Sequence, residues 1–138
     1  MSYASEAELR TRFGSQEVDL VSGRDPGGAT AAIARALADA GAEIDAYLEA
    51  RYALPLTGVP PVLARIACDI ARYRLWAERA PDEVRQRYED ARRFLEALAR
   101  GDVRLGLPEA QQPAPPSAMA AARTGDAPIF TRAGTAGY

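Results

Sequence analysis

The residue with the most reactive side chain in this sequence is Cys68, its single cysteine. A cysteine acts as a nucleophile when a neighbouring base or cation holds it as the thiolate. The sequence contains no histidine and no lysine, which excludes a Ser-His-Asp triad, a Cys-His pair, an imidazole metal ligand and a Walker-type phosphate loop. A lone cysteine inside a helical pattern is more typical of a small core residue. We therefore predict that Cys68 packs in the core and that the chain is not an enzyme.

Carboxylates are the other groups that could do chemistry. Asp45 and Glu49 are four residues apart, so they share one face of a helix, where like charges repel mildly. This pair indicates either a solvated face or a face that meets an arginine on a partner chain. Asp69 stands four residues after Arg65 and three before Arg72, a spacing that allows local ion pairs. Neither set is typical of a catalytic pair, and we predict no cofactor and no metal.

A glycine-rich loop spans residues 23–28 and is followed by Thr30. Glycines before a helix can cradle a phosphate when a strand leads into them. No strand pattern precedes this loop and the motif is short. We interpret it as a flexible link into the next helix.

The composition indicates one soluble globular domain. The chain has 138 residues, 48% of them apolar and 26% charged, and a formal net charge of −2. No apolar run approaches the ~20 residues that span a bilayer, and residues 1–10 do not read as a secretion signal. We expect no membrane association, no disulfide framework and no global attraction to nucleic acid.

Helical periodicity dominates the chain. We predict a short helix that begins after Ser5 and stops at Gly14, with Ser5 and Glu8 as a capping box. One more turn could follow, with Val18 and Leu20 pointing inward. Apolar stripes then predict three long helices, over 29–52, 60–79 and 81–100. The fold class is therefore all-α, a compact bundle of three to four helices.

The link between the first two long helices reads Leu-Pro-Leu-Thr-Gly-Val-Pro-Pro over residues 54–61. Its prolines end one helix and begin the next. Leu54, Leu56 and Val59 are apolar residues in a turn. They either plug the open end of the helical hairpin or form a ridge that binds a neighbouring chain, and we retain them as candidate partner-binding residues.

The chain changes character near residue 107. We predict a helical domain over 1–107 and an extended arm, rich in proline and alanine, over 108–138. Phe130, Arg132 and Tyr138 place anchors near the end of this arm. We predict that a partner chain orders the arm and that these three residues bind it.

Several strings resemble the Mu-like phage head-to-tail joining family, a group of small virion connector (adaptor) proteins. The resemblance covers residues 3–105 well and the last few residues weakly. The strings are Glu43-Ile44-Asp45-Ala46-Tyr47-Leu48, Arg51-Tyr52 with Leu54-Pro55-Leu56, Cys68-Asp69-Ile70-Ala71-Arg72-Tyr73, Arg87-Tyr88-Glu89-Asp90-Ala91 and Phe130-Thr131-Arg132.

The resemblance implies a structural virion protein at the head–tail junction, present in the bacterial host cytoplasm during assembly. Members of such a family would form a ring of about twelve copies below the portal protein. The ring would continue the DNA channel without sequence-specific binding. Its implied partners are the portal and the next neck or tail-completion protein.

A small helical DNA-binding protein that acts in packaging or regulation is the alternative. The hairpin around residues 54–61 has the outline of a helix-turn-helix. Its link is long for that motif and marked by prolines, and the following helix places Leu63, Ile66 and Ile70 on one face, which leaves few side chains to read bases.

Overall fold

A computed structural model describes residues 1–107 and shows five α-helices in that part of the chain. The helices are α1 (Glu6–Phe13), α2 (Ser15–Ser22), α3 (Ala29–Leu48), α4 (Pro61–Trp76) and α5 (Asp82–Arg100), with a 3-10 helix, Ala77–Arg79, after α4. The predicted all-α fold is confirmed. The predicted arm over 108–138 lies outside the described residues.

The first two helices are joined by a single glycine. The Glu8 N–H donates to Ser5 Oγ (3.3 Å) and the Ser5 N–H donates to Glu8 Oε2 (3.2 Å), so the predicted capping box is formed. Gly14 has φ 87°, a value that favours glycine, and ends α1 as predicted.

The segment after Gly14 forms the complete helix α2, where the sequence analysis predicted only one possible turn. Val18 is buried, as predicted, but Leu20 is 56% exposed, so its inward assignment is wrong. Side chains two positions apart on a helix point to roughly opposite sides. The buried side of α2 therefore carries Val18, Val21 and Ser22.

Helix α3 ends at Leu48, four residues before its predicted end at 52. The N–H groups of Arg51 (2.9 Å) and Tyr52 (2.8 Å) both donate to the Leu48 carbonyl, which closes a turn that directs Tyr52 into the core. Gly41 lies under the N-terminal segment, because a Cβ there would collide with the Met1 carbonyl oxygen. Gly41 thus allows the non-helical backbone at Met1 to approach α3 closely.

Helices α4 and α5 begin where their prolines predicted. Pro61 occupies the first turn of α4, and Pro81 caps α5. The predicted 60–79 helix is broken, because α4 stops at Trp76 and Ala77 adopts φ 54°. Gly101 has φ 87° and ends α5 as predicted.

The core lies where α3, α4 and α5 meet, with α1 packed across α4. After α5, Val103, Leu105 and Leu107 alternate with exposed residues and pack partly buried against this core. The Leu105 N–H donates to Tyr52 Oη at 3.3 Å, so the end of the described chain lies beside the start of the 54–61 link. The fully buried side chains include Leu9, Ile33, Ile44, Leu48, Leu63, Ile66, Cys68, Ile70, Leu95 and Leu98.

Candidate interaction surface

The three candidate partner-binding residues of the link lie in different environments. Leu56 is 5% exposed and belongs to the core, Leu54 is partly buried, and Val59 is 38% exposed. Leu56 therefore plugs the hairpin, and it could reach a partner only if the link opened. Val59 lines an open groove of about 520 Å³ between α1 and the start of α4. Partner binding by these residues stays a prediction, and Phe130, Arg132 and Tyr138 lie outside the described residues.

Arg72 is the centre of an ion-pair cluster that joins three helices. Its guanidinium donates to both oxygens of Glu17 (2.6 and 3.0 Å) and to Glu83 Oε2 (3.2 Å). The Trp76 Nε1–H also donates to Glu17, at 3.1 Å, and the Arg72 guanidinium lies 4.3 Å from the centre of the Phe13 ring. The arginine keeps the pKa of Glu17 below its usual value, because it stabilises the charged carboxylate.

The spacing of charged residues in the sequence predicted only local pairs for Arg72, and this cluster is not local. Its partner Glu17 is 55 residues away in the chain. The sequence offers one signal for such a cluster: an arginine among apolar residues of a helix, and a glutamate in a short amphipathic segment. This signal does not specify which glutamate pairs with the arginine.

Asp69 lies next to this cluster and is buried in the described structure. Its side chain is 3% exposed, and its Oδ1 atom has no hydrogen-bond partner in the described structure. Arg65 approaches Oδ2 at 3.5 Å and Arg87 approaches Oδ1 at 3.7 Å, which are long for hydrogen bonds. The local Arg65–Asp69 pair predicted from spacing is present. Burial raises the pKa of Asp69, although the neighbouring arginines partly oppose this.

Replacing Asp69 with asparagine is expected to raise the free energy of unfolding at neutral pH by about 1 kcal/mol, because a neutral amide costs less to bury than an underpaired carboxylate. The raised pKa of Asp69 means that this cost is full above the folded pKa and disappears below the unfolded value near 3.8. Urea unfolding should show the gain of Asp69→Asn shrinking as the pH falls. Asp90→Asn, at a 60% exposed carboxylate, should change stability little, and a loss of stability in Asp69→Asn would contradict this account.

A second cluster fixes α3 against α5. The Tyr73 and Tyr88 rings stack with centres 4.2 Å apart. The Tyr88 hydroxyl (3.1 Å) and the Arg74 guanidinium (2.6 Å) both donate to Glu43. Glu43, Tyr73 and Tyr88 of this cluster belong to the strings that carry the resemblance. In the described structure these side chains join helices.

The residues first considered for chemistry have structural roles in residues 1–107. Cys68 is fully buried, as predicted for a core residue, and burial raises the pKa of its thiol to about 11. Asp45 accepts hydrogen bonds from the Tyr3 hydroxyl and the Met1 amine. In the 23–28 loop, Asp25 accepts from the Gly27 N–H (2.7 Å) and from Arg35 (2.8 Å), so a side chain already lies at these glycines.

No helix within residues 1–107 is both long and apolar enough to cross a membrane. The same residues contain no group of three potential metal-ligating side chains.

The described fold is that of a small all-α protein. Its Arg72 and Glu43 clusters form ion pairs between helices. The chain belongs to the family described as Bacteriophage Mu, Gp36, which it matches over residues 3–123. It is 32% identical over 135 residues to Gene product J of Escherichia phage Mu, a match that covers 96% of each chain. It is 54% identical over 77 residues to the Mu-like prophage FluMu protein gp36 of Haemophilus influenzae. That second match covers 56% of this chain and about half, 55%, of the relative.

The resemblance to Mu-like phage proteins is thus confirmed at the level of the family. A phage protein of this family belongs to the context of the virion or of its morphogenesis.

Proposed function

We propose that this chain is a head-to-tail connector that forms a ring below the portal and joins the phage head to the tail. The observation that carries the proposal is its membership of a phage Mu family over most of its length. The quoted strings add the likeness to connector proteins. The expected location is the head–tail junction of the virion, reached from the bacterial host cytoplasm during assembly.

The way the helices are joined supports a structural role. Arg72 ties α4 to α2 and α5, and Glu43 ties α3 to α4 and α5. Ion pairs and hydrogen bonds between helices make the domain stiff. A stiff domain can transmit force between neighbouring chains without rearranging. We propose that the chain needs no cofactor, catalyses no reaction and associates with no membrane.

The proposed partners are further copies of this chain, the portal protein and the next neck or tail-completion protein. DNA would pass through the ring without sequence-specific binding. Its net charge of −2 suits a channel wall that must not hold DNA.

A DNA-binding role in packaging or regulation is the weaker proposal. The link from 49 to 60 separates α3 from α4 by far more than the three or four residues of a helix-turn-helix. Carboxylates hold two of the three arginines of α4, Arg72 and Arg74, and the third, Arg65, has only a long ion pair to Asp69. A gel shift at physiological salt would detect binding if this proposal were correct.

Mixing the purified full-length chain with its portal protein tests the connector proposal. Negative-stain electron microscopy should show rings of this chain docked on portal rings. A chain that never associates with the portal and is absent from purified particles would overturn the proposal.

Truncation after residue 107 is expected to leave the helical domain folded and to abolish docking on the portal. The described core is formed within residues 1–107, and the sequence places the partner anchors beyond them. Circular dichroism should show retained helix and cooperative unfolding, while co-sedimentation with the portal should be lost. Unfolding of the truncated chain would mean that residues 108–138 belong to the core.

A further inference from the structure

The groove of about 520 Å³ between the N-terminal segment, α1 and the start of α4 is an apolar depression on the surface of the domain. Val59 lines it and is 38% exposed, one of three large apolar side chains that are exposed within residues 1–107. We call this depression the link groove, because Val59 belongs to the link between α3 and α4. The side chains that form its apolar part are Tyr3, Ala4, Val59, Pro61 and Ala64.

The rim of the link groove carries one charge of each sign. The Glu8 carboxylate accepts a hydrogen bond from the Ser5 N–H (3.2 Å) and takes part in no ion pair within residues 1–107. Arg12 follows one helical turn later, so the rim as a whole is neutral. A neutral rim around an apolar floor suits a largely apolar peptide better than a strongly charged partner such as DNA.

The chain itself supplies such a peptide beyond the described residues. Ile129 and Phe130 are the only two large apolar residues that are adjacent to each other in residues 108–138. Arg132 stands two positions after Phe130. Side chains two positions apart in an extended peptide point to the same side. Phe130 and Arg132 can therefore enter one groove together, the ring on its floor and the guanidinium at its rim.

The stretch between the described domain and this peptide is long enough to reach a neighbouring copy. Residues 108–128 extend to about 70 Å at most, whereas α3, with 20 residues, is about 30 Å long. Prolines favour an extended backbone over a turn back to the same domain. The prolines of this stretch are Pro108, Pro113, Pro115, Pro116 and Pro128.

We propose that Ile129, Phe130 and Arg132 of one copy of this chain bind the link groove of the next copy. Phe130 packs beside Val59, and Arg132 forms an ion pair with Glu8. Val59 and the arm residues were separate candidates for partner binding in the sequence. In this contact they are the two sides of one interface.

This contact joins two different surfaces of identical chains. Contacts of this head-to-tail type close into rings when the rotation between copies permits. An arm that crosses to the next copy ties neighbouring subunits together without a large interface between their domains. The inference rests on the proposed connector function and names the partner of the arm within it.

Disulfide cross-linking of the full-length chain tests the contact. In a Cys68→Ser background, chains with Val59→Cys and chains with Ile129→Cys should form a mixed dimer on oxidation, both free and bound to the portal. Leu20→Cys is the matched control, because Leu20 is also an exposed apolar residue, at 56%, but does not line the link groove. Chains with Leu20→Cys should cross-link far less to chains with Ile129→Cys.

Three results of the cross-linking would overturn the proposal. The first is the absence of the mixed dimer in both the free and the portal-bound chain. The second is a chain carrying both Val59→Cys and Ile129→Cys that closes only on itself, which would show that the arm binds its own domain. The third is equal cross-linking of the Leu20→Cys control, which would show that the arm has no preference for the link groove.

A double-mutant cycle measures the same contact without cysteines. Phe130→Ser and Val59→Asp should each weaken self-association in sedimentation velocity by about tenfold or more, because each removes apolar area from the contact. The double variant should associate about as weakly as the weaker of the two single variants, since both changes break one interface. Met119→Ser is the control for a large apolar residue elsewhere in the arm and should leave self-association unchanged.

Circular dichroism first establishes that each variant is folded. Losses that add in the double variant would show that Val59 and Phe130 bind separate partners and would overturn the proposal. A loss in Met119→Ser as large as that in Phe130→Ser would overturn it as well.

Portal binding separates this inference from the function on which it rests. If Phe130→Ser loses portal binding and keeps its self-association, the arm binds the portal and only the inference is overturned. If the chain passes both tests and never binds the portal, the contact between copies stands and the connector function is contradicted.

Discussion

Replacing Arg72 with alanine is expected to lower the free energy of unfolding by about 3 kcal/mol at neutral pH. The arginine side chain is 11% exposed, and its removal leaves the partly buried Glu17 without a cation. Trp76 would remain as a single donor to that carboxylate. The packing of the guanidinium on Phe13 would also be lost.

The pH dependence of this effect has a definite sign. Because the folded pKa of Glu17 is lowered below 4.5, its contribution to stability is fully present above pH 4.5 and is lost as the pH falls through the folded pKa. The difference between wild type and Arg72→Ala should therefore shrink on acidification. Chemical unfolding at several pH values measures it. Arg93→Ala is the control, because Arg93 is 63% exposed and its surface pairs contribute little. Equal stability of the two variants at neutral pH would contradict the central role of Arg72.

Replacing Leu56 with aspartate is expected to destabilise the chain by about 4 kcal/mol, since it places an unpaired charge where a core side chain packs. Val59→Asp is the matched control within the same link, because Val59 is exposed. That control should keep its stability to within about 0.5 kcal/mol. Thermal unfolding followed by circular dichroism distinguishes the two.

The same pair of variants separates packing from partner binding in the link. If Val59→Asp is folded but binds the portal or its own copies more weakly, the exposed edge of the link is a contact surface. If Leu56→Asp proves as stable as wild type, Leu56 does not plug the hairpin and the core described above is wrong at this end.

Local sequence signals predicted the elements of the fold well. Ser5 and Glu8 formed the capping box, Gly14 and Gly101 ended their helices, and Pro61 began α4. These signals act within one or two turns of a helix, so they can be read without knowing the partner of each element.

The errors have a common cause in contacts between distant segments. Leu20 was assigned inward before the register of α2 against its neighbours was known. Helix α3 was extended past Leu48 because nothing local revealed that Tyr52 turns into the core. The burial of Asp69 depends on α5, which covers one side of α4 with Arg87.

The candidate surface was the least predictable part. Apolar residues in a turn are consistent with either a plug or a contact, and sequence alone left both open for Leu54, Leu56 and Val59. The structure separates the buried Leu56 from the exposed Val59 because it shows which side of the link meets the core. The contacts of Arg65 and Arg87 with Asp69 could not be predicted together, because Arg87 comes from a different helix, α5.

A reconstruction of the head–tail junction in particles of the phage that encodes this chain tests the connector role most directly. The connector role predicts a closed ring of this chain between the portal and the next neck protein, continuous with the DNA channel. Particles that contain no copy of the chain at the junction, or that carry it elsewhere on the capsid or tail, would contradict it.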